Sequence, residues 1–246
     1  MLGVWSCRCI VIAAALAAGG APLASADPTG ISTQINIPTT IDPFALYGDE
    51  MQFDVLRDGD PIGSYLVFFR KSGDAFQVET RASIEVDVLF ASAYRLRYQS
   101  LETWQDGALA SLTASTNDDG EFSHMEAVRD GAQLDVSGMD GKWEAPPNLL
   151  PTSHWNMAQV SAETLINTVS GTANHISVVD AGVENVAIGD EMRPARRFIY
   201  SGDLDMEAWY DDAGRWVKLR FAAEDGSTIE YICRRCSGPT TLTKAD

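Results

Sequence analysis

Two cysteines near the end of the chain, Cys233 and Cys236, have the most defined chemistry in this sequence. Their Cys-Arg-Arg-Cys spacing fits a local disulfide, a redox pair whose thiol pKa the arginines lower, or half of a metal site. The motif follows a strand-like run, whereas a redox pair normally opens a helix. We therefore expect a disulfide. Residues three apart in an extended strand lie about 10 Å apart and a disulfide needs Cα atoms within about 7 Å, so the strand must end or turn at Arg234-Arg235.

A group of large aromatic side chains and one amide form the candidate ligand-binding set. Its members are Trp155, Asn156, Trp209, Tyr210 and Trp216. Aromatic side chains that line a curved sheet can hold an apolar ligand or a lipid chain, and they can equally fill the core of a barrel. The spacing of these residues does not decide between the two interpretations.

Three arginines lie close together in an otherwise acidic chain. Arg193, Arg196 and Arg197 flank Pro194 and could bind a carboxylate or phosphate group. The alternative is that they form ion pairs with the abundant acidic residues. We take the three arginines as a candidate anion site and keep both interpretations open.

Signatures of common catalytic sites are missing from the sequence. It contains no Gly-x-Ser-x-Gly, no His-Glu-x-x-His and no glycine-rich phosphate loop. The three histidines, His124, His154 and His175, are far apart along the chain. We therefore assign no catalytic residue, no metal and no cofactor.

Regularly spaced Asp-Gly pairs predict the elements that carry these residues. The pairs begin at Asp58, Asp106, Asp119, Asp130, Asp140 and Asp225. Asp-Gly flanked by alternating apolar residues is the strongest local signal for a β-hairpin. About ten strands joined by short turns indicate a mainly β chain, folded as an antiparallel curved sheet or barrel-like meander. A two-sheet β-sandwich is the alternative.

One segment departs from this pattern and predicts a helix at the centre of the fold. A proline-rich connector covers residues 146–151, and Ser153 then offers an N-cap. A loosely apolar face continues to Val169, with Gly171 beyond the end. We expect one central helical segment, around which the sheet curves.

The N-terminus has the composition of a secretory signal peptide. Arg8 precedes a short apolar run over residues 9–18, and Ala24-Ser25-Ala26 provides a small-residue cleavage site. The apolar run is too short for a spanning helix, which needs about 20 residues. We expect cleavage after Ala26, a periplasmic or secreted protein, and no transmembrane segment thereafter.

The rest of the chain divides into three parts by composition. We expect an extended arm over residues 27–46, a single β-rich domain over 47–236, and a flexible tail over 237–246. The chain holds 18 basic and 35 acidic residues, a net charge of −17. Such a charge repels nucleic acid, which we exclude as a partner.

The sequences of two stretches resemble those of a known family. They are Gly48 to Val55, with Asp58-Gly59 and Ile62-Gly63, and Trp209 to Leu219, followed by Asp225 to Tyr231. In this order they resemble an exported bacterial family called domain of unknown function 6134, over roughly Gly48 to Tyr231. The resemblance implies an exported β-rich domain and transfers no catalytic residue.

Two hypotheses from different classes follow. The first is a non-catalytic periplasmic protein that binds or carries a hydrophobic ligand or lipid. The second is an enzyme that modifies the cell envelope, which requires a histidine within hydrogen-bond reach of a carboxylate inside a pocket. A structural or adaptor role would instead show a contiguous exposed apolar patch.

Overall fold

A computed structural model describes residues 41–88 and 91–238. The predicted signal peptide, residues 27–40 of the predicted arm and residues 239–246 of the predicted tail lie outside this part. Within the rest of the arm the expectation of extended chain is wrong, because Pro43–Tyr47 forms a short helix, α1. The Asp42 side chain caps this helix by accepting hydrogen bonds from the backbone N–H groups of Phe44 and Ala45.

Fifteen strands make up one sheet in the described residues. They are β1 (Glu50–Arg57), β2 (Asp60–Ser72), β3 (Ala75–Val88), β4 (Ala91–Gln105), β5 (Ala108–Asp118), β6 (Glu121–Asp130), β7 (Gln133–Gly138), β8 (Gly141–Ala145), β9 (Leu150–Pro151), β10 (Thr164–Ile166), β11 (Ala173–Ile188), β12 (Glu191–Gly202), β13 (Met206–Tyr210), β14 (Trp216–Ala222) and β15 (Thr228–Arg235).

The strand order makes the sheet curl on itself. It runs from β8 down to β1, then from β15 down to β9, so β8 and β9 lie at opposite ends. Fourteen steps of about 4.8 Å would separate these ends by about 67 Å in a flat sheet. Only residues 146–149 join β8 to β9, and five Cα steps of about 3.8 Å reach only about 19 Å. The ends must therefore meet, which confirms the curved, barrel-like meander.

Tight turns set the antiparallel pairing, as the Asp-Gly pairs predict. At Asp58, Asp106 and Asp119 both the aspartate and the following glycine have positive φ. This is the conformation of a type I′ turn, whose twist matches that of the strands on either side. Each of these turns joins two strands that pair with each other.

The barrel closes without a strand ladder, along a contact that we call the seam. It lies between the β7–β8 hairpin and the turn at residues 167–171. The backbone N–H of Met139 donates to the carbonyl of Ser170 at 2.7 Å, and the Trp143 indole donates to the carbonyl of Gly171 at 2.8 Å. A Cβ atom on Gly138 would lie 2.1 Å from the Ser170 carbonyl oxygen, so glycine is needed for this approach.

The chain between β9 and β10, residues 152–163, fills the interior and is called the plug. Trp155 packs edge-on against Phe69 and Trp104, with ring centroids 5.8 and 5.3 Å apart. The Tyr47 hydroxyl of α1 donates to the Trp155 carbonyl at 2.8 Å and accepts from the Trp216 backbone N–H at 2.9 Å. The plug thus contacts opposite parts of the barrel wall.

The central helix is much shorter than the sequence predicts. Only Met157–Ser161 is helical, as a 3-10 helix, and Asn156 rather than Ser153 caps it. Thr164–Ile166 pairs with β11 instead, and both Leu165 and Ile166 are buried. Most of the segment up to Val160 is buried, so it has little solvent face to pattern and its loose apolar periodicity is a weak guide to helix.

The last strand ends in a disulfide between Cys233 and Cys236, whose Cα atoms lie 6.0 Å apart. β15 ends at Arg235, and its pairing with β1 shifts register between Gln52 and Phe53. This irregularity brings the two cysteines within bridging distance. Both are buried.

Candidate functional site

A carboxylic acid lies in the centre of the barrel, and it has no cationic partner among the residues that the structure describes. Glu102 points inward from β4 and is 0% exposed. Its Oε2 accepts hydrogen bonds from the indole N–H groups of Trp104 at 2.7 Å and Trp155 at 3.1 Å. Burial raises the pKa of Glu102, and these hydrogen bonds lower it by less. Burial therefore makes the neutral form of this acid more accessible than that of an exposed glutamate, and in that form it can donate a proton.

Ser153 and Tyr98 lie near this acid, Tyr231 and Thr116 lie near Tyr98, and we call these five side chains the interior polar cluster. Its members are Tyr98, Glu102, Thr116, Ser153 and Tyr231. Tyr98 interacts electrostatically with Glu102 and with Tyr231, and it is directly opposite Thr116 on β5. Burial raises the pKa of Tyr98 to about 12. Ser153 lies beside Glu102 without the geometry of a hydrogen bond.

Several polar atoms of this cluster find no hydrogen-bond partner among the described protein residues. They are Glu102 Oε1, Thr116 Oγ1, Ser153 Oγ and the Tyr231 hydroxyl. A buried polar atom without a partner costs about 1–3 kcal/mol, so native proteins rarely leave several together. All four groups can donate a proton when Glu102 is neutral, and none of the five side chains is cationic. The cluster is suited to a neutral oxygen acceptor, such as an ester or amide carbonyl.

A second polar group joins the plug to the wall of the barrel. The Gln159 amide donates to His154 Nδ1 at 3.0 Å and to the Tyr210 hydroxyl at 2.8 Å. The Tyr210 hydroxyl in turn donates to the His154 carbonyl at 3.0 Å. Burial lowers the pKa of His154 to about 4. His154 is thus held neutral, with Nδ1 as an acceptor.

The structure brings together only part of the predicted aromatic set. Trp155, Tyr210 and Trp216 are buried in the interior, and the Trp216 ring lies 5.0 Å from that of His154. Asn156, partly buried, caps the 3-10 helix through its side chain.

Trp209 belongs to a different environment. It is next to Tyr210 in β13 and therefore faces the other side of the sheet. There its indole donates to Glu184 Oε1 at 2.7 Å, and the Lys218 ammonium lies 5.1 Å from its ring. Trp209 is 1% exposed and packs outside the barrel.

The three arginines of the predicted anion site each lie near a different carboxylate. Arg193 is 4.0 Å from Glu191, Arg196 is 2.8 Å from Asp180, and Arg197 is 4.0 Å from Glu207. Arg196 and Arg197 are consecutive in β12, so they point to opposite faces.

The enzyme hypothesis requires a histidine paired with a carboxylate. His154 contacts an amide, the ring of His175 lies 3.2 Å from the Thr164 hydroxyl, and His124 is exposed on β6. In the two described ranges, no three or more His, Cys, Asp or Glu side chains are arranged to hold a metal. No helix there is both long and apolar enough to cross a bilayer.

Sequence reasoning missed the interior polar cluster, although one signal for Glu102 was present. Glu102 and Trp104 are two residues apart in a strand, so both side chains lie on one face. A tryptophan on that face indicates the core, and the acid must then be buried with it. The other members converge from distant strands and the plug, which no local pattern shows.

Comparisons with known proteins agree with this fold. The model of the family described as Domain of unknown function (DUF6134) matches residues 53–234. The chain is also similar to a solved structure described as a beta-barrel-like protein of Domain of Unknown Function DUF1849 from Brucella abortus. The identity is 13% and the TM-score 0.55, and the match covers 78% of this chain and 98% of that one. At this identity the similarity concerns the fold alone. No curated protein matches the sequence.

Proposed function

Since the chain belongs to the DUF6134 family, a domain of unknown function, we propose a function for it that is based on the side chains inside its barrel. The protein is a non-catalytic binding protein or carrier, and its barrel takes one hydrophobic ligand that bears an uncharged polar group, such as an acyl-ester lipid. It acts in the periplasm or outside the cell. This location rests on the signal-like N-terminus, with Ala24-Ser25-Ala26 as the cleavage site.

The interior polar cluster carries the proposal. Its unpartnered proton donors lie in a barrel whose other inward side chains are mainly aliphatic and aromatic. The apolar body of a ligand would contact the aliphatic and aromatic side chains that face inward. Its carbonyl oxygen would accept hydrogen bonds from Glu102, Thr116 or Tyr231. An ionised head group would need a cation there, which the cluster does not provide.

The seam is the proposed route into the barrel. Strands elsewhere in the wall are joined by backbone ladders, whereas the β7–β8 hairpin and the turn at residues 167–171 are joined across the seam by isolated contacts such as those of Met139 and Trp143. Opening the seam breaks few hydrogen bonds, so it requires less free energy than parting two paired strands. The plug adjoins the seam through the turn at residues 167–171, and it moves aside to make room for the ligand.

Quenching of tryptophan fluorescence by a brominated acyl ester, presented in detergent, tests this proposal. Trp104 and Trp155 both contact Glu102, so a ligand at the cluster comes close to both indoles. We expect saturable quenching with one site per chain. Thr116→Val keeps the shape of the side chain but removes a donor, and it should weaken binding about fivefold to tenfold.

The control is Thr113→Val, since Thr113 lies on the same strand but is exposed on the outside. It should bind the ester as the wild type does. Quenching that does not saturate, or that Thr113→Val and Thr116→Val reduce equally, would contradict a site at the interior polar cluster. The ester should also bind better than the bromine-labelled free carboxylate at neutral pH, and the opposite order would refute the proposed ligand class.

A further inference from the structure

A groove of about 440 Å³ crosses the outside of the barrel over strands β2 to β6. The buried residues Ala82, Tyr98 and Thr116 of these strands also border it, so the groove and the interior polar cluster lie on the two sides of the same part of the wall. The rest of the groove's lining combines hydroxyl and amide side chains with two arginines and two apolar residues. These side chains are Ser64, Leu66, Arg81, Ser83, Arg97, Gln99, Ser115, Asn117, Phe122 and Ser123.

The arginines of this region, Arg70, Arg81, Arg95 and Arg97, form what we call the arginine face. Arg70 and Arg81 both pair with Glu79, while Arg95 and Arg97 both pair with Glu85. Four positive and two negative charges leave these ion pairs with a net charge of +2. The whole chain carries −17, and Asp118 and Glu121 adjoin the groove residues Asn117 and Phe122, so the positive excess is confined to these four arginines and their two glutamate partners.

Both glutamates remain ionised, so this charge balance holds. Desolvation raises the pKa of Glu79, but hydrogen bonds from Arg81 and Arg70 outweigh it and lower the pKa. A hydrogen bond from Arg95 lowers the pKa of Glu85.

The groove presents two of these guanidinium groups to solvent. The side chains of Arg81 and Arg97 are 55% and 50% exposed. Arg97 lies 3.6 Å from Glu85, and its Nη1 donates to the carbonyls of Ile84 and Leu96 at 3.2 and 3.1 Å. These backbone contacts fix the guanidinium in place without neutralising its charge. A fixed and exposed guanidinium is suited to a carboxylate, which it can bind with two hydrogen bonds.

The remaining lining indicates what carries that carboxylate. The Asn117 Oδ1 accepts from the Gly120 backbone N–H at 2.8 Å and the Gln99 Nε2 donates to Glu79 Oε1 at 3.4 Å. The Asn117 amino group can therefore donate to, and the Gln99 oxygen accept from, sugar hydroxyl groups. At one side stands Phe122, which is 80% exposed and offers a flat apolar ring for the C–H face of a sugar. Most of the lining residues carry a polar group, whereas more of the groove's exposed surface is carbon than nitrogen or oxygen, and this combination suits the hydroxyl groups and C–H faces of a sugar.

We propose that this groove binds an acidic oligosaccharide, with Arg81 and Arg97 on its carboxylates and Phe122 against a sugar ring. Since the site is open to solvent and charge-based, its binding weakens as salt is added.

Titration calorimetry of the full-length mature chain with a defined oligogalacturonate tests this inference, with a neutral oligosaccharide of the same length for comparison. We expect binding of the acidic probe alone. Arg81→Gln and Arg97→Gln should each weaken it about tenfold. Phe122→Ala should also weaken binding of the acidic probe. Because Phe122 is exposed, this variant should fold, and it replaces an arginine variant that does not fold.

The matched control is Arg193→Gln, which removes the same charge from an arginine that is 47% exposed on β12. It should bind the probe as the wild type does. Equal loss in Arg193→Gln and Arg97→Gln would overturn the groove as the site, as would equal binding of the neutral oligosaccharide or no binding at all. Tighter binding to phosphatidylglycerol vesicles than to the oligogalacturonate would overturn the saccharide in favour of a lipid surface.

Discussion

Replacing His154 with asparagine should remove a large part of the acid sensitivity of the fold. The amide introduced by His154→Asn keeps an oxygen acceptor for the Gln159 side chain but cannot take up a proton. In the wild type, burial lowers the pKa of His154 from 6.5 to about 4. The folded state thus disfavours the protonated ring, while the unfolded chain binds a proton below about pH 6.5.

The magnitude follows from this difference in pKa. A difference of about 2.5, at about 1.36 kcal/mol for each pH unit, corresponds to about 3 kcal/mol. For a lowered pKa the stabilising contribution is complete above pH 6.5 and is lost as the pH falls to 4. Because Glu102 has a raised pKa and acts in the opposite sense, only a comparison of two variants isolates the histidine.

Urea unfolding, followed by tryptophan fluorescence between pH 4 and pH 7.5, measures the effect. From pH 7.5 to pH 4, the free energy of unfolding of the wild type should fall by about 3 kcal/mol more than that of His154→Asn. This is about 1 M urea in the unfolding midpoint. The control, His124→Asn, changes an exposed histidine and should follow the wild type. Parallel curves for wild type and His154→Asn would mean that the fold does not disfavour the protonated form of His154.

Three further predictions concern stability. Glu102→Gln should lose less stability than the wild type as the pH rises above about 4.5, because a raised pKa makes ionisation of the buried acid costly. Glu102→Ala should cost about 2–5 kcal/mol, because it removes the acceptor of two indole N–H groups. Urea unfolding at pH 5 and pH 8 checks both. In Gly138→Ala the new Cβ atom would clash with the Ser170 carbonyl, which should destabilise the seam by about 1–3 kcal/mol. Hydrogen exchange should then be faster in the β7–β8 hairpin than in β3 and β4. Replacing both Cys233 and Cys236 with serine should cost about 2 kcal/mol, measured by thermal unfolding against the oxidised wild type.

Different outcomes would contradict each of these. A pH dependence of Glu102→Gln that matches the wild type would mean that the acid ionises freely. Uniform exchange across the sheet in Gly138→Ala would mean that the seam is no weaker than the strand ladders. Unchanged melting of the double serine variant would mean that the buried disulfide adds no stability.

Local chemistry explains what the sequence predicted correctly. An Asp-Gly pair such as Asp58-Gly59 specifies its own turn, because few other residue pairs adopt two positive φ angles. The curved sheet then follows from successive hairpins. The spacing of the two cysteines predicted the disulfide, whereas the irregularity that brings them together is a register shift in the pairing of β15 with β1.

Long-range packing explains what the sequence did not show. The predicted helix after Ser153 is mostly irregular chain and strand, because β11 pairs with Thr164–Ile166 from outside the segment. Trp209 and Tyr210 could not be assigned to opposite faces until the path of β13 was known. The interior polar cluster needed the plug in place, since Ser153 reaches Glu102 only through the closed barrel.

Native mass spectrometry of the protein purified from periplasm shows whether the interior binds a hydrophobic ligand. We expect a population heavier than the mature chain by one ligand, from which organic extraction recovers an acyl ester. Thr116→Val should carry less of this ligand and Thr113→Val as much as the wild type. A single mass equal to that of the mature chain, with no extracted lipid in either the wild type or the Thr113→Val control, would contradict the proposed ligand binding.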